Sequence, residues 1–129
     1  MMKNLLFSFN GRIRRMHFWL AVLGLGVVSG ALLTICLMLM RNGGAMTIVG
    51  GIAAFGVLVV TVWAGLAIQI KRWHDRDKSW VWMFISLIPG VGGIWMLVEC
   101  GILDGAPGAN KYGPSPKAVA AITPLAAAV

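Results

Sequence analysis

Residues 18–40 read FWLAVLGLGVVSGALLTICLMLM, 23 positions without one formally charged side chain. Coiled as an α-helix rising 1.5 Å per residue, the run is roughly 34 Å long, enough to cross a hydrocarbon layer of about 30 Å. Arg41-Asn42-Gly43-Gly44 breaks it with a polar turn. Residues 45–70, AMTIVGGIAAFGVLVVTVWAGLAIQI, then form a second uncharged run of 26. A third apolar run, 80–98, is interrupted by Pro89-Gly90 and Gly92-Gly93, and gains length by extending to Leu103. A proline kink inside a membrane helix is tolerated where neighbours or water satisfy the freed backbone groups. A re-entrant hairpin turning at 88–93 is the alternative, and it returns the C-terminus to the side it left. The expected fold is an all-α membrane protein with three transmembrane helices at about 18–40, 45–70 and 80–103.

Composition supports this. Of 129 residues, 59% are hydrophobic and 12% charged, with a mean hydropathy of +0.85. An ordinary soluble domain carries roughly a quarter charged residues, and one this small has too little interior to hide the apolar excess. Disorder requires the opposite composition. A membrane β-barrel would need alternating polar and apolar segments of about ten residues, and none occur. A cleaved signal peptide has an apolar region of about 7–15 residues, shorter than the first run, and Ser29-Gly30-Ala31 mimics a cleavage site only weakly.

Charge sits at the ends of the apolar runs. Eleven basic and four acidic residues give a formal net charge of +7 and a pI near 10.3. With three spans, Lys3, Arg12, Arg14, Arg15, Lys71, Arg72, Arg76 and Lys78 share one side, and Arg41, Lys111 and Lys117 the other. The positive-inside rule then puts the N-terminus in the cytoplasm. The partners implied are the bilayer and anionic phospholipid headgroups, with a membrane-protein partner also open, rather than nucleic acid. Residues 1–17 read as an interfacial segment, with Leu5, Leu6, Phe7 and Phe9 dipping into the headgroup region. Residues 104–117, DGAPGANKYGPSPK, are a Gly/Pro-rich loop. Residues 1–117 therefore form one membrane domain, and 118–129 an apolar low-complexity tail. Gly26/Gly30 and Thr61/Gly65 have the small-xxx-small spacing of close helix packing, read here as packing within the monomer or plain glycine abundance.

The candidate chemistry is sparse. Residues 71–79, KRWHDRDKS, are the densest polar group. If the second helix continues through them, Lys71 pairs with Asp75 and His74 meets Asp77. One histidine and two acids fall short of a metal set, even with His17 on the same side, and Cys36 and Cys100 lie in apolar runs outside any Cys/His cluster. No metal, cofactor or catalytic set is read. Arg12 and Arg15 beside Phe18 and Trp19 make a headgroup site or depth-setting anchors. Glu99 is the one acid within reach of an apolar run, and an intramembrane carboxylate is a functional candidate by default.

Three blocks, taken in order, resemble a known family. FNGRIRRMHFW (9–19) resembles an F-x-G-R-x-x-R-x-x-F/Y-W opening. KRWHDRDKS (71–79), followed by Trp82, resembles an R-x-H-D-x-x-K/R-S loop leading into tryptophans, and GAPGANKYGPSP (105–116) a G-T-x-G-x-N-x-Y/F-G-x-D-P close. The set is similar to the bacterial membrane proteins grouped as domain of unknown function 805. The resemblance implies a small inner-membrane protein with no established activity, and marks Gly11, Arg12, Arg15, Phe18, Trp19, Arg72, His74, Asp75, Lys78, Ser79, Asn110, Tyr112 and Gly113 as its candidate residues. His17, Ala106 and Ser115 depart from the pattern.

The expected function is that of a non-enzymatic, structural or accessory multi-pass protein. It binds anionic lipid or a partner through Arg12, Arg15, Trp19, Arg72, His74, Asp75 and Lys78. The alternative is a small transporter or channel component using Glu99 and the break at 89–93, and a metal-dependent enzyme around His74 and Asp75 ranks third.

Overall fold

The computed structural model describes residues 2–118. Helix α1 (Met2–Phe7) leads into an extended stretch, α2 (Arg15–Arg41) and α3 (Ala45–Asp75) form an antiparallel pair, and helix α4 (Gly92–Met96) follows a 3-10 helix at Trp80–Leu87. Among the described residues the β content is limited to an isolated bridge between Asn110 and Gly113.

The uncharged runs dictate α2 and α3. At 1.5 Å per residue they measure roughly 40 and 46 Å, and both are long and apolar enough to cross a membrane. Gly43 and Gly44 take φ of +76° and +57° between them, values that let three residues reverse the chain. The Thr47 hydroxyl closes the turn by donating to the Met40 carbonyl at 3.0 Å. Only 6% of each apolar window is buried. Leu20, Leu23 and Val27 on α2, and Ile48, Ile52 and Phe55 on α3, face outward. In water such helices would need to bury their apolar surface. In hydrocarbon the same surface costs nothing, and the backbone is satisfied within each helix.

The glycine that lets α2 and α3 touch is Gly50. A Cβ there would stand 2.7 Å from the Cys36 carbonyl oxygen and from Met40 Cγ, whereas Gly26, Gly30 and Gly65 have nothing within 4 Å of theirs. The small-residue pairs seen in the sequence are therefore not what joins the two helices.

The compact core lies at one end of the pair. Ile13, Phe18, Ile68, Trp73 and Cys100 are buried together, with Leu5, Leu6, Met83 and Met96 packed around them. Leu5 and Leu6 thus join a protein core, which the interfacial reading of residues 1–17 did not anticipate.

The third apolar run departs most from expectation. It is not one continuous helix over 80–103. The 3-10 helix Trp80–Leu87 turns at residues 88–91, where Gly90 has φ +78°. The chain comes back through α4 and a π-helical turn, Leu97–Ile102. A Cβ on Gly92 would collide with the backbone of Ile85 and Ser86, so glycine is what lets the two arms close. Each arm is about 16 Å long by its rise per residue, half of a bilayer core. Both ends of the hairpin meet the charged end of α3: Lys78 Nζ lies 2.9 Å from Glu99 Oε1, and Arg72 Nε donates to the Cys100 carbonyl at 2.6 Å. Two of the described helices are long and apolar enough to span, and residues 80–102 take the hairpin weighed as the alternative to a third span. The tail expected at 118–129 falls, beyond residue 118, outside the described residues.

Candidate functional site

The site forms where α3 outlives its uncharged run. The helix continues through Lys71–Asp75 and ends in a Schellman arrangement: Lys78 N–H donates to the Trp73 carbonyl at 2.9 Å and Asp77 N–H to that of His74 at 3.0 Å. Asp77 holds the left-handed position with φ 57°. Aspartate tolerates that region better than most residues.

The last turn of α3 aims Arg72 and Asp75 into the protein, and Arg12 meets them from the segment before α2. Arg12 Nε donates to Asp75 Oδ1 at 3.0 Å, and Arg72 Nη1 donates to Asp75 Oδ2. The three side chains are 1% (Arg12), 0% (Arg72) and 4% (Asp75) exposed. One carboxylate between two guanidinium groups leaves a net positive buried cluster, which is tolerable only if the remaining N–H groups find acceptors. They do so on backbone carbonyls. Arg12 reaches Ala106 (2.7 Å), Gly108 (2.8 Å) and Gly113 (3.2 Å). Arg72 reaches Cys100, Ile13 (3.3 Å) and Leu103. The carbonyls of Cys100 and Leu103 flank the end of the π-helical turn, where helix acceptors lack intrahelical partners. Gly105 lies so close to the Asp75 carboxylate that a Cβ would overlap it.

His74 stacks on Tyr112, ring centroids 3.8 Å apart and planes 6° from parallel. Its Nδ1 is 3.3 Å from the Gly11 carbonyl oxygen, and Asn110 Nδ2 donates to the His74 carbonyl at 3.0 Å. Lys71 donates to the Leu5 carbonyl at 2.7 Å. In place of the pairings expected from helix spacing, Lys71 with Asp75 and His74 with Asp77, Lys71 and His74 reach carbonyls of the N-terminal segment, and Asp75 takes Arg72 one turn back together with Arg12. Glu99 is held between Arg76 Nε (3.0 Å) and Lys78 Nζ (2.9 Å). Lys78 also lies 4.7 Å from the centre of the Trp82 ring. Trp19 donates to the Gly101 carbonyl at 2.9 Å and remains partly exposed. No group of three or more potential metal ligands occurs among the described residues.

The structure thus joins Arg12, Arg72, His74 and Asp75 around the closing loop, and puts Lys78 with Glu99 at the mouth of the hairpin. Arg15 stands apart. It donates to the Ile102 carbonyl at 2.9 Å and lies 3.5 Å from Asp104, with half its side chain exposed. Sequence reasoning missed the residues beside it, Arg14, Asp104 and Lys117. Lys117 donates to Asp104 at 2.9 Å. That hydrogen bond holds the Asp104 carboxyl below its usual range, with Arg15 and Lys117 acting in the same sense through their charge. The signal available beforehand was two cations in a loop carrying one acid.

The family described as protein of unknown function DUF805 matches residues 6–114. The chain belongs to DUF805. The matched stretch holds the whole Arg12–Asp75–Arg72 network of this DUF805 chain and stops short of Ser115, Pro116 and Lys117. Relatives include the inner membrane protein YhaH of Escherichia coli K12, 34% identical over 113 residues, covering 85% of this chain and 88% of the relative. The inner membrane protein YhaI of the same strain is 30% identical over 110 residues, covering 85% and 86%. The uncharacterized protein YiiR, also of K12, is 31% identical over 132 residues, covering 84% and 85%. No solved structure matches.

Proposed function

We propose that this DUF805 chain is a non-enzymatic accessory protein of the bacterial inner membrane that holds anionic phospholipid headgroups at its cytoplasmic face. Helices α2 and α3 cross the bilayer, and the hairpin of residues 80–102 dips into the cytoplasmic leaflet and returns. The supporting observation is the distribution of charge. Ten of the eleven basic residues belong to the segments gathered at the core end of the helix pair, and Arg41 stands at the far end. With the closing loop on the same side as the N-terminus, the bias that orients membrane proteins is sharper than a three-span count implies. A self-satisfied Arg–Asp–Arg cluster fits a scaffold that holds the face together, while the exposed Arg15 and Lys117 meet the membrane. Glu99, neutralised by Arg76 and Lys78, lacks the unpaired character a coupling carboxylate needs.

Single cysteines at positions 41, 79 and 117, labelled in intact and permeabilised cells, test the topology. Cys36 and Cys100 are buried and add little background. Positions 79 and 117 are expected to react only after permeabilisation and 41 in intact cells; matching accessibility of 117 and 41 overturns the reading. Lipid that survives purification, measured by native mass spectrometry, is expected to be enriched in phosphatidylglycerol over its share of the membrane.

A further inference from the structure

A cavity of about 260 Å³ opens between the start of α2 and the closing loop, lined among others by Arg14, Arg15, Asp104, Gly105, Ser115 and Lys117. Asp75 forms part of its wall, but that carboxylate is already engaged by Arg12 and Arg72. Three cations therefore face one acid, Asp104, which bridges Arg15 and Lys117 and keeps them close together. Few of their donors are spent. Arg14 gives one N–H to the Pro116 carbonyl (3.3 Å), Arg15 one to Ile102 while its Nε faces Asp104 at 3.5 Å, and Lys117 one to Asp104. An arginine has five N–H donors and a lysine three, so each side chain has N–H groups left for a ligand.

We propose that this cavity binds a phosphate group. Two guanidinium forks and an ammonium around one small space match a multiply charged oxyanion, which arginine grips in pairs of hydrogen bonds. The half-exposed Arg15, Asp104 and Lys117 leave the site open to entry. Below it, Met16, Trp19, Leu20 and Leu23 on α2 face outward, a runway for acyl chains if the phosphate belongs to a lipid. The site deepens the headgroup reading above and rests on it for the lipid source, while a soluble phosphate would need only the pocket.

The test compares wild type, Lys117→Glu and Lys111→Glu in phosphatidylcholine nanodiscs, titrated with phosphatidic acid or with inorganic phosphate. Lys111 lies over the Tyr112 ring at 5.1 Å and is not among the residues lining the cavity. Lys117→Glu is expected to weaken phosphate-group binding about tenfold or more, the loss of one charge-assisted contact, and Lys111→Glu to leave it within about twofold. Should Lys117→Glu disturb the loop, Arg14→Gln is the second variant, with the same expected loss. A wild type that prefers phosphatidic acid with equal affinity in all variants overturns the pocket and spares the headgroup reading. Binding of inorganic phosphate, lost in Lys117→Glu, without preference for the anionic lipid supports the pocket and overturns its lipid source. Absence of binding to either ligand overturns both.

Discussion

Arg12→Ala probes the network that organises the polar face. Arg12 makes four hydrogen bonds of 3.2 Å or shorter, one to Asp75 and three to carbonyls at positions 106, 108 and 113. A net worth of about 1 kcal/mol each sums to about 4 kcal/mol, within the range of about 3–5 kcal/mol for breaking a buried ion pair. In the proposed topology α2 and α3 do not depend on this network, because the bilayer and their own backbone bonds sustain them. The loss is therefore local: the loop of residues 104–117 opens, with its opening equilibrium raised by two to three decades. Hydrogen exchange in nanodiscs reads this directly, since the amides of Ala106, Tyr112 and Gly113 are bonded to Asp75 O, Asn110 Oδ1 and Asn110 O. Their exchange is expected to accelerate a hundredfold or to the unprotected limit, while residues 20–38 keep their protection. Arg12→Lys keeps the charge but loses the planar fork, and recovers less than half of the protection. Unchanged exchange over 104–117 in Arg12→Ala would refute the assignment of Arg12 as the tie between loop and helix.

Three further outcomes follow, two from the helix packing and one from an ion-pair cluster. Gly50→Ala forces a methyl group against the Cys36 carbonyl, and is expected to cost about 1–3 kcal/mol in the detergent-resistance or thermal-unfolding midpoint. Gly26→Ala meets open space and is expected to be neutral or to stabilise by about 0.5–1 kcal/mol, so equal effects of the two would contradict the helix interface. Glu99→Gln takes the counter-charge from Arg76 and Lys78 at the hairpin mouth, where partial exposure limits the expected loss to about 1–2 kcal/mol. Its signature is faster exchange at residues 97–103 with no change at Gly50.

The two long helices were legible because crossing a bilayer is a one-dimensional requirement: enough consecutive uncharged residues, whatever they touch. The turn at Asn42-Gly43-Gly44 was legible for a similar reason, since adjacent glycines between apolar runs supply the backbone freedom a reversal needs. The third run met the length criterion and was read as a crossing. It turns back because Pro89, Gly90 and the close approach at Gly92 favour a hairpin, and because Arg72, Arg76 and Lys78 supply acceptor-seeking groups to which residues 99–103 return. Hydropathy does not register that attraction.

For the site, sequence alone supplied the residue types and the polar blocks, including Arg12, Arg72, His74 and Asp75, and the expectation that they share one side of a membrane. Only tertiary structure decided their roles. Arg12 and Arg72 turn inward on Asp75 and a ring of carbonyls, His74 is covered by Tyr112, and Arg14, Arg15 and Lys117 are left with donors to offer around the cavity. Local spacing predicts partners along one helix, while a buried guanidinium takes whichever acceptors the folded backbone brings within reach, here from segments up to 101 positions away.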